Sequence, residues 1–340
     1  MQSFTTQQAR ERFTKEIENI TKAKKLVNDI TLAVNNNRTV QPYGLIHTSI
    51  NRPNNSYNLN NPNNPNEKLI SIVMCACNRS TQTFYTLQTI KSCIDSINNK
   101  SDMNVNVQII IVEDSTNDKL DIDRLKAFGL YIDHITILQS NKFWINPCVN
   151  YNIGFAFIKG DYVVIQNPEV CYIGNILDYT LKHLQPNKYL VFDVINMGSI
   201  NDNHTLYRAT PQKFKHYLSN TRYGWYQHHT QKNRCFHFLS AITTSDLKKI
   251  GGFDLDYCMG VCYDDDAFVD QIRYAGISII SVPNNDMSLY GIHQWHPPTY
   301  LGMNRSDLHN KNLLLSKRLH HQNTKSYFTL DDKSNVDLIR

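Results

Sequence analysis

Four stretches of this chain are dominated by aliphatic and β-branched residues: KLISIVMCACN at 68–78, VQIIIVED at 107–114, DHITILQS at 133–140 and DYVVIQ at 161–166. They are too short for core helices and do not alternate as half-exposed strands would, so each reads as a strand buried on both faces. Between them, TQTFYTLQTIKSCIDSI and PCVNYNIGFAFIKG, the latter ending at Gly160, place apolar residues at helical spacing. Strand and helix in alternation predict an α/β fold with a mostly parallel central sheet flanked by crossover helices. Ligands of such sheets bind beyond the C-terminal ends of the strands. The polar residues there are Asn78 and Arg79, Glu113 and Asp114, and Asn167 and Glu169. No GxGxxG follows the first strand and no GxxxxGK[ST] occurs, which counts against a dinucleotide-binding Rossmann protein and a P-loop NTPase.

The flanks differ from this core. Residues 1–35 carry Phe13, Ile17, Ile20, Leu26, Ile30 and Leu32 at helical spacing and predict one or two helices. Residues 51–66 hold nine Asn and three Pro, so they form a loop or linker that sets the helices apart. Beyond KYLVFDVINM, another strand, residues 199–237 are polar and rich in His, Tyr and Trp, with few helix or strand signals. HFLSAITTSDLKKIGGFD predicts strand, helix and a Gly-Gly turn; YDDDAFVDQIRYAGISIISV predicts an acidic turn, a helix and a strand; GIHQWHPP closes the core. The boundaries that follow are 1–66 for the helical extension and linker, 67–170 for the first half of the α/β unit, 171–305 for its second half, and 306–340 for a helix and polar tail.

The net charge is +5, and no Lys/Arg run of five occurs, so no nucleic-acid footprint is evident. No apolar stretch approaches a membrane span, and the N-terminus lacks a signal-peptide h-region. The eight Cys form no CxxC and read as reduced thiols of a cytoplasmic protein, with Cys75 and Cys77 on one face of a buried strand.

Only 30 of 340 residues are acidic, so acidic clusters are informative. Glu113-Asp114 at a strand end can accept the N–H of a planar base; the plain reading is a solvated loop acid or a helix cap. Glu169, in Asn167-Pro168-Glu169, suits a divalent cation held against a diphosphate, or merely a turn. Asp264-Asp265-Asp266 repel one another unless they bind something cationic or keep one member as a general base; otherwise they are an acidic first helical turn. His293 and His296 are spaced to converge on one metal, or are ordinary histidines among thirteen. Trp225 and Tyr226 beside His228 and His229 suit a sugar platform or a packed loop.

Taken in order, these stretches resemble a family 2 glycosyltransferase of the GT-A fold. SIVMCACNR is similar to that family's opening S-I-V-I-P-T-Y-N-R, with Cys75 in place of Pro. IIIVEDSTND is similar to I-I-V-V-D-D-G-S-T-D, whose acids bind uracil. NYNIGFAFIKGDYVVIQNPE puts Asn152 and Gly154 on an N-x-G pair and Asn167-Pro168-Glu169 where a D-x-D stands, so the first acid is lost. The second half resembles β-1,4-galactosyltransferases and polypeptide GalNAc transferases: GGFD, then YDDDAF aligned so that Asp264 falls on a Glu and Asp265 on the catalytic Asp, then His293 and His296 at metal-ligand positions.

The resemblance implies transfer of a hexosyl or N-acetylhexosaminyl group from a nucleotide sugar, a UDP-sugar in first place, to a glycan or glycoprotein hydroxyl. Donor contacts fall on Ala76, Cys77, Asn78, Arg79, Glu113, Asp114, Asn152, Gln166 and Asn167. Glu169, His293 and His296 are the implied ligands of Mn²⁺ or Mg²⁺. Asp265, beside Asp264, is the implied inverting base. Trp225, Tyr226, His228, Gly252 and Asp266 face the sugars. The N-terminal helices are open to oligomer contacts. A non-catalytic nucleotide-sugar-binding module and a nucleotidyltransferase stand as rivals; the acidic triad argues against the first, and the absence of Gly in ACNRSTQT against the second.

Overall fold

A computed structural model describes residues 6–52, 69–99, 106–209, 224–282, 288–297 and 304–327. The stretch 53–66 expected as a linker, 210–223 of the segment expected to be irregular, and the tail beyond Tyr327 lie outside the described residues. The expected strands form β2 (Leu69–Ala76), β3 (Asn106–Glu113), β4 (Tyr131–Ile137) and β5 (Tyr162–Gln166). They pair in parallel in the order β4-β3-β2-β5, with Ile72 opposite Ile109. Beyond β5 the sheet turns mixed: β10 (Leu239–Thr243) lies antiparallel between β5 and β7 (Lys188–Phe192), and β11 (Ser278–Val282) closes that edge parallel to β7.

The unbroken apolar runs are explained by burial on both faces. Along β2, Ile70, Ile72, Met74 and Ala76 join one core with Phe84, Leu87 and Ile90 of α2 (Ser80–Asn98). Val73 points into the other, with Val149 and Ile153 of α4 (Cys148–Ala156). Alternate residues serve opposite layers, as the two-residue period of a strand requires.

Between α2 and α4 in the chain lies the short helix α3 (Ile122–Ala127). α4 packs so closely that a Cβ on Gly154 would sit 2.7 Å from Val73 Cγ1 and 3.2 Å from Val112 Cγ2. Gly154→Val is expected to destabilise the fold by about 1–3 kcal/mol, read as a lower thermal midpoint with the sheet otherwise intact.

Four features depart from the sequence reading. The N-terminal segment is one helix, α1 (Thr6–Asn35), and it is docked rather than set apart: Ala23 and Ile30 are fully buried in the α4 core, and Lys24 Nζ lies 2.6 Å from Asp256 Oδ1. β1 (Leu45–Ile50) was not expected; it pairs antiparallel with the outer edge of β4. A second sheet, β6-β12-β8-β9, is built from β6 (Val170–Ile173), β8 (Val194–Asn196), β9 (Gly224–Gln227) and β12 (Tyr290–His293). The stretch from 199 also holds α6 (Ile200–Arg208), capped by Ser199, besides β9.

α5 (Ile176–His183) covers the α2 face, and α7 (Thr244–Ile250) ends in the Gly251-Gly252 turn. α8 (Asp264–Tyr274) begins at the acidic run, and α9 (Arg305–Tyr327) ends the described chain. No described helix is long and apolar enough to cross a membrane.

Candidate active site at the strand ends

The C-terminal end of β3 carries two carboxylates with different tasks. Glu113 is 2% exposed and engaged on both oxygens: Oε1 accepts the Leu120 N–H at 2.8 Å, and Oε2 lies 2.8 Å from Nε2 of buried His134. Asp114 accepts from Lys142 Nζ and from Asn150 Nδ2, at 3.0 Å, with Oδ2; its buried Oδ1 has no partner. Cys77 stands beside Asp114, past the end of β2; burial, then the Asp114 charge, push its thiol up to about 11. It is half-buried rather than a core thiol.

Asn78 is in the left-handed region (φ 53°), and its Oδ1 accepts the backbone N–H groups of Thr116, Asn117 and Asp118. It clips the loop after β3 to the loop after β2. Ala76 is buried, with its carbonyl on the Asp114 N–H. Arg79 is buried and donates to the carbonyls of Asn78 and Pro297, tying this loop to the chain after β12.

The sequence-predicted metal set does come together. Glu169 Oε1 lies 3.1 Å from His293 Nε2 and 3.3 Å from His296 Nε2. Burial alone would raise the Glu169 carboxyl; hydrogen bonds and charge from the two imidazoles outweigh it and hold the group well below the usual carboxylate range. His296 Nδ1 faces the Pro297 carbonyl at 3.0 Å, and a carbonyl only accepts, so the proton sits on Nδ1. Its Nε2 then serves Glu169, through a proton when no ion is bound and as a lone pair when a cation takes that proton's place. Tyr226 stacks on His293 at 4.1 Å, and Gln294 is pinned by contacts to Gln82, Thr86 and Glu169. The trio fits a divalent cation.

A second trio, Asp193, His228 and His229, resembles it in composition but not in chemistry. His228 Nδ1 accepts the N–H groups of Thr230 and Gln231, each at 3.1 Å. The proton of the neutral ring is therefore on Nε2, 3.9 Å from Asp193 Oδ2, where a ligand would need its lone pair. Burial pushes the His228 ring down, toward this neutral form. Asp193 also takes the His229 N–H and faces His229 Nδ1, both at 2.7 Å. These contacts latch β9 to β8. Trp225 lies against His228 at 4.2 Å, so Trp225 and Tyr226 attend different trios.

The acidic run opens α8 after two successive left-handed residues, Cys262 (φ 64°) and Tyr263 (φ 65°). Such conformations cost of order 1–3 kcal/mol each and persist only where the surroundings hold them. Here Asn312 of α9 holds them, donating to the carbonyls of Tyr257 and Cys262.

Asp264 is buried and accepts from Asn146 Nδ2 at 2.8 Å. Burial first, and the neighbouring Asp265 charge second, push its carboxyl up to about 7. The folded chain therefore holds a proton that the unfolded chain releases between about pH 4 and 7, and stability falls as pH rises through that window. Asp264→Asn is expected to flatten this slope and to gain on the order of a few kcal/mol at pH 7.5, measured by denaturant unfolding at pH 5 and 7.5. Asp265 is part-exposed, with Oδ1 2.7 Å from His237 Nδ1, and Asp266 is exposed.

One residue joins the two halves. The Tyr151 hydroxyl donates to the Gln166 carbonyl at 3.0 Å and reaches Asn167 Oδ1 at 3.4 Å, while its ring meets that of His237 edge-on at 4.8 Å. Burial pushes that hydroxyl well up, and the charges of Glu169, Asp265 and Asp264 add to it. Neither Tyr151 nor His237 was singled out from the sequence.

The remaining predicted residues lie elsewhere. Gln166 is fully buried and spent on Val170, Asn167 and Tyr172. The Asn152 amide is exchanged with the backbone of Phe253, and Gly252 (φ 77°) fits against it: a Cβ there would sit 2.5 Å from Asn152 Oδ1. Both line a cavity of about 540 Å³ beside Lys24, Phe155 and Leu247, whose lining includes none of Glu169, His293, His296 or Asp265.

The family described as glycosyl transferase family 2 matches residues 71–246. No curated protein matches the chain. Among solved structures, S. aureus TarS is similar at 12% identity and a TM-score of 0.45, over 74% of this chain and 43% of that one. TarS 1-349 in complex with UDP-GlcNAc gives 12% identity and 0.45, over 67% and 59%. Glucosyl-3-phosphoglycerate synthase from Mycobacterium tuberculosis, in complex with Mn²⁺, UDP-glucose and phosphoglyceric acid, gives 17% and 0.39, over 73% and 79%. The chain thus spans less than two thirds of the TarS chains it matches.

Proposed function

This chain belongs to glycosyl transferase family 2, and we propose that it transfers a hexosyl or N-acetylhexosaminyl group from a UDP-sugar to a hydroxyl of a glycan or glycoprotein, with inversion. The observation that carries this reading is that Tyr151 reaches Asn167, two residues before Glu169, with its hydroxyl and meets His237, beside Asp265, with its ring, which brings the carboxylate–imidazole trio and the acidic run into one neighbourhood. The order GGFD, YDDDAF, His293 and His296 favours a C-terminal half of the β-1,4-galactosyltransferase and polypeptide GalNAc transferase kind. Eight unpaired thiols favour a cytoplasmic setting.

The donor lies across the ends of β2, β3 and β5. Asp114 reads the uracil in preference to Glu113, because its Oδ1 is free to accept an N–H and both oxygens of Glu113 are taken. Glu169, His293 and His296 hold Mn²⁺ or Mg²⁺, which when bound offsets the charge developing on the departing diphosphate. Tyr226 fixes the His293 ring, and Trp225, with His228 behind it, offers a face to a sugar.

Asp265 accepts the proton of the acceptor hydroxyl as its oxygen bonds the anomeric carbon; the bond to the diphosphate breaks on the opposite face, and the leaving UDP keeps that electron pair. The test is a panel of UDP-, GDP- and TDP-sugars with Mn²⁺, assayed for released nucleotide. UDP release is expected. Binding without turnover would mean a binding module, and pyrophosphate formed from a sugar phosphate and a nucleoside triphosphate would mean a nucleotidyltransferase.

A further inference from the structure

His237 is held by rings and faces one carboxylate. It precedes β10, is 4% exposed, and meets Tyr151 and Phe253 edge-on, each at 4.8 Å, and Phe268 at 6.4 Å. None of these contacts satisfies a ring nitrogen. Its Nδ1 lies 2.7 Å from Asp265 Oδ1, close enough for an ion pair but off the hydrogen-bond line, and neither atom has another partner. A buried polar atom left unpaired costs about 1–3 kcal/mol, so each is the natural partner of the other after a small rotation.

We infer that His237 is the positioning residue of Asp265: its Nδ1–H holds Oδ1 and leaves Oδ2 turned to the acceptor hydroxyl. This rests on the reading of Asp265 as the base. The surroundings make the assignment specific. Asp264, the other candidate, is taken by Asn146 and is the acid that burial drives toward its protonated form. Asp265 Oδ1, by contrast, has no hydrogen-bond partner and lies beside the His237 imidazole. The aromatic wall fixes the ring plane, excludes water and strengthens the attraction by lowering the local dielectric. The arrangement follows the logic of a base oriented by a third group, with the imidazole as orienter and the carboxylate as base.

The test compares four variants, His237→Phe, His237→Asn, Asp265→Asn and the Asp265→Asn, His237→Phe double variant, on the UDP-sugar that the wild-type chain turns over. His237→Phe keeps a ring in the cage and removes the donor; His237→Asn keeps a donor near the Nδ1 position. His237→Phe is expected to lower kcat by about 10–100-fold, the range for supporting partners, with KM for the donor and the thermal midpoint little changed. His237→Asn should recover most of that loss. Added to Asp265→Asn, His237→Phe should cost nothing further, because it acts through the carboxylate already removed.

Wild-type kcat in His237→Phe, equal losses in the Phe and Asn variants, or a further loss in the double variant would each overturn the inference. An inactive Asp265→Asn beside a fully active His237→Phe would sink the inference and spare the base. A fully active Asp265→Asn, or no nucleotide release by the wild-type chain from any donor, would sink both.

Discussion

Asp265→Asn is expected to lower transfer by about 10²–10⁴-fold, the usual worth of general-base assistance, and to leave UDP binding near the wild-type value. The substitution keeps size and polarity, so the first turn of α8 still packs; what it removes is the basic carboxylate proposed to take the acceptor's proton. The groups proposed to hold the nucleotide sit on other elements: Asp114 after β3, the trio on the loop after β5 and at the end of β12. Loss should therefore appear in kcat, measured by UDP release, while calorimetric titration with UDP stays flat between variant and wild type. Full activity in the variant would remove Asp265 from the mechanism. Asp264→Asn is the informative contrast, because Asp264 sits deeper, is bound to Asn146 and is pushed toward its neutral form. Its replacement by a neutral amide should be far milder.

What could be read from the sequence follows from where the physics is local. β2, β3 and β5 announce themselves because strands buried on both faces read as near-continuous apolar runs. The second sheet gives no such signal: β6, β8, β9 and β12 are three or four residues long, shorter than any window in which a period can be counted, and exist because partners far away in the chain pair with them. β1, LIHTSI, carries His and two hydroxyl residues and is a strand because β4 offers an open edge.

The same division runs through the site. His293 and His296 could be paired from residue type and spacing, and the family resemblance added Glu169 to them. The choice between Glu113 and Asp114 could not, since it turns on His134, a neighbour supplied by the register of β4 against β3. His237 is one of thirteen histidines, and only the fold sets it against Asp265. Asn152 shows the converse: the motif position was legible, but its amide serves the turn at Phe253.

Two histidine–carboxylate trios lie in one molecule, and the proton positions separate them. At His296, Nδ1–H is committed to the Pro297 carbonyl, so the ring can release its Nε2 proton and turn that lone pair to a cation beside Glu169. At His228, Nδ1 is committed as an acceptor to two backbone N–H groups, which leaves a proton on Nε2. A cation needs the first arrangement; in the second, metal binding would have to break the turn at 228–231 or strip the ring of its last proton.

Glu169→Gln is therefore expected to weaken Mn²⁺ binding by more than the roughly 10–100-fold that loss of a supporting partner costs, since it removes the anionic ligand itself. UDP release should fall with it. Asp193→Asn should leave Mn²⁺ affinity at the wild-type value and act on the thermal midpoint instead, because the carboxylate it removes latches β9 to β8. Titration of each variant with Mn²⁺ by calorimetry decides the matter without an acceptor. Equal Mn²⁺ affinity in Glu169→Gln and wild type would remove the ion from the Glu169 trio, and a loss confined to Asp193→Asn would move it to the latch.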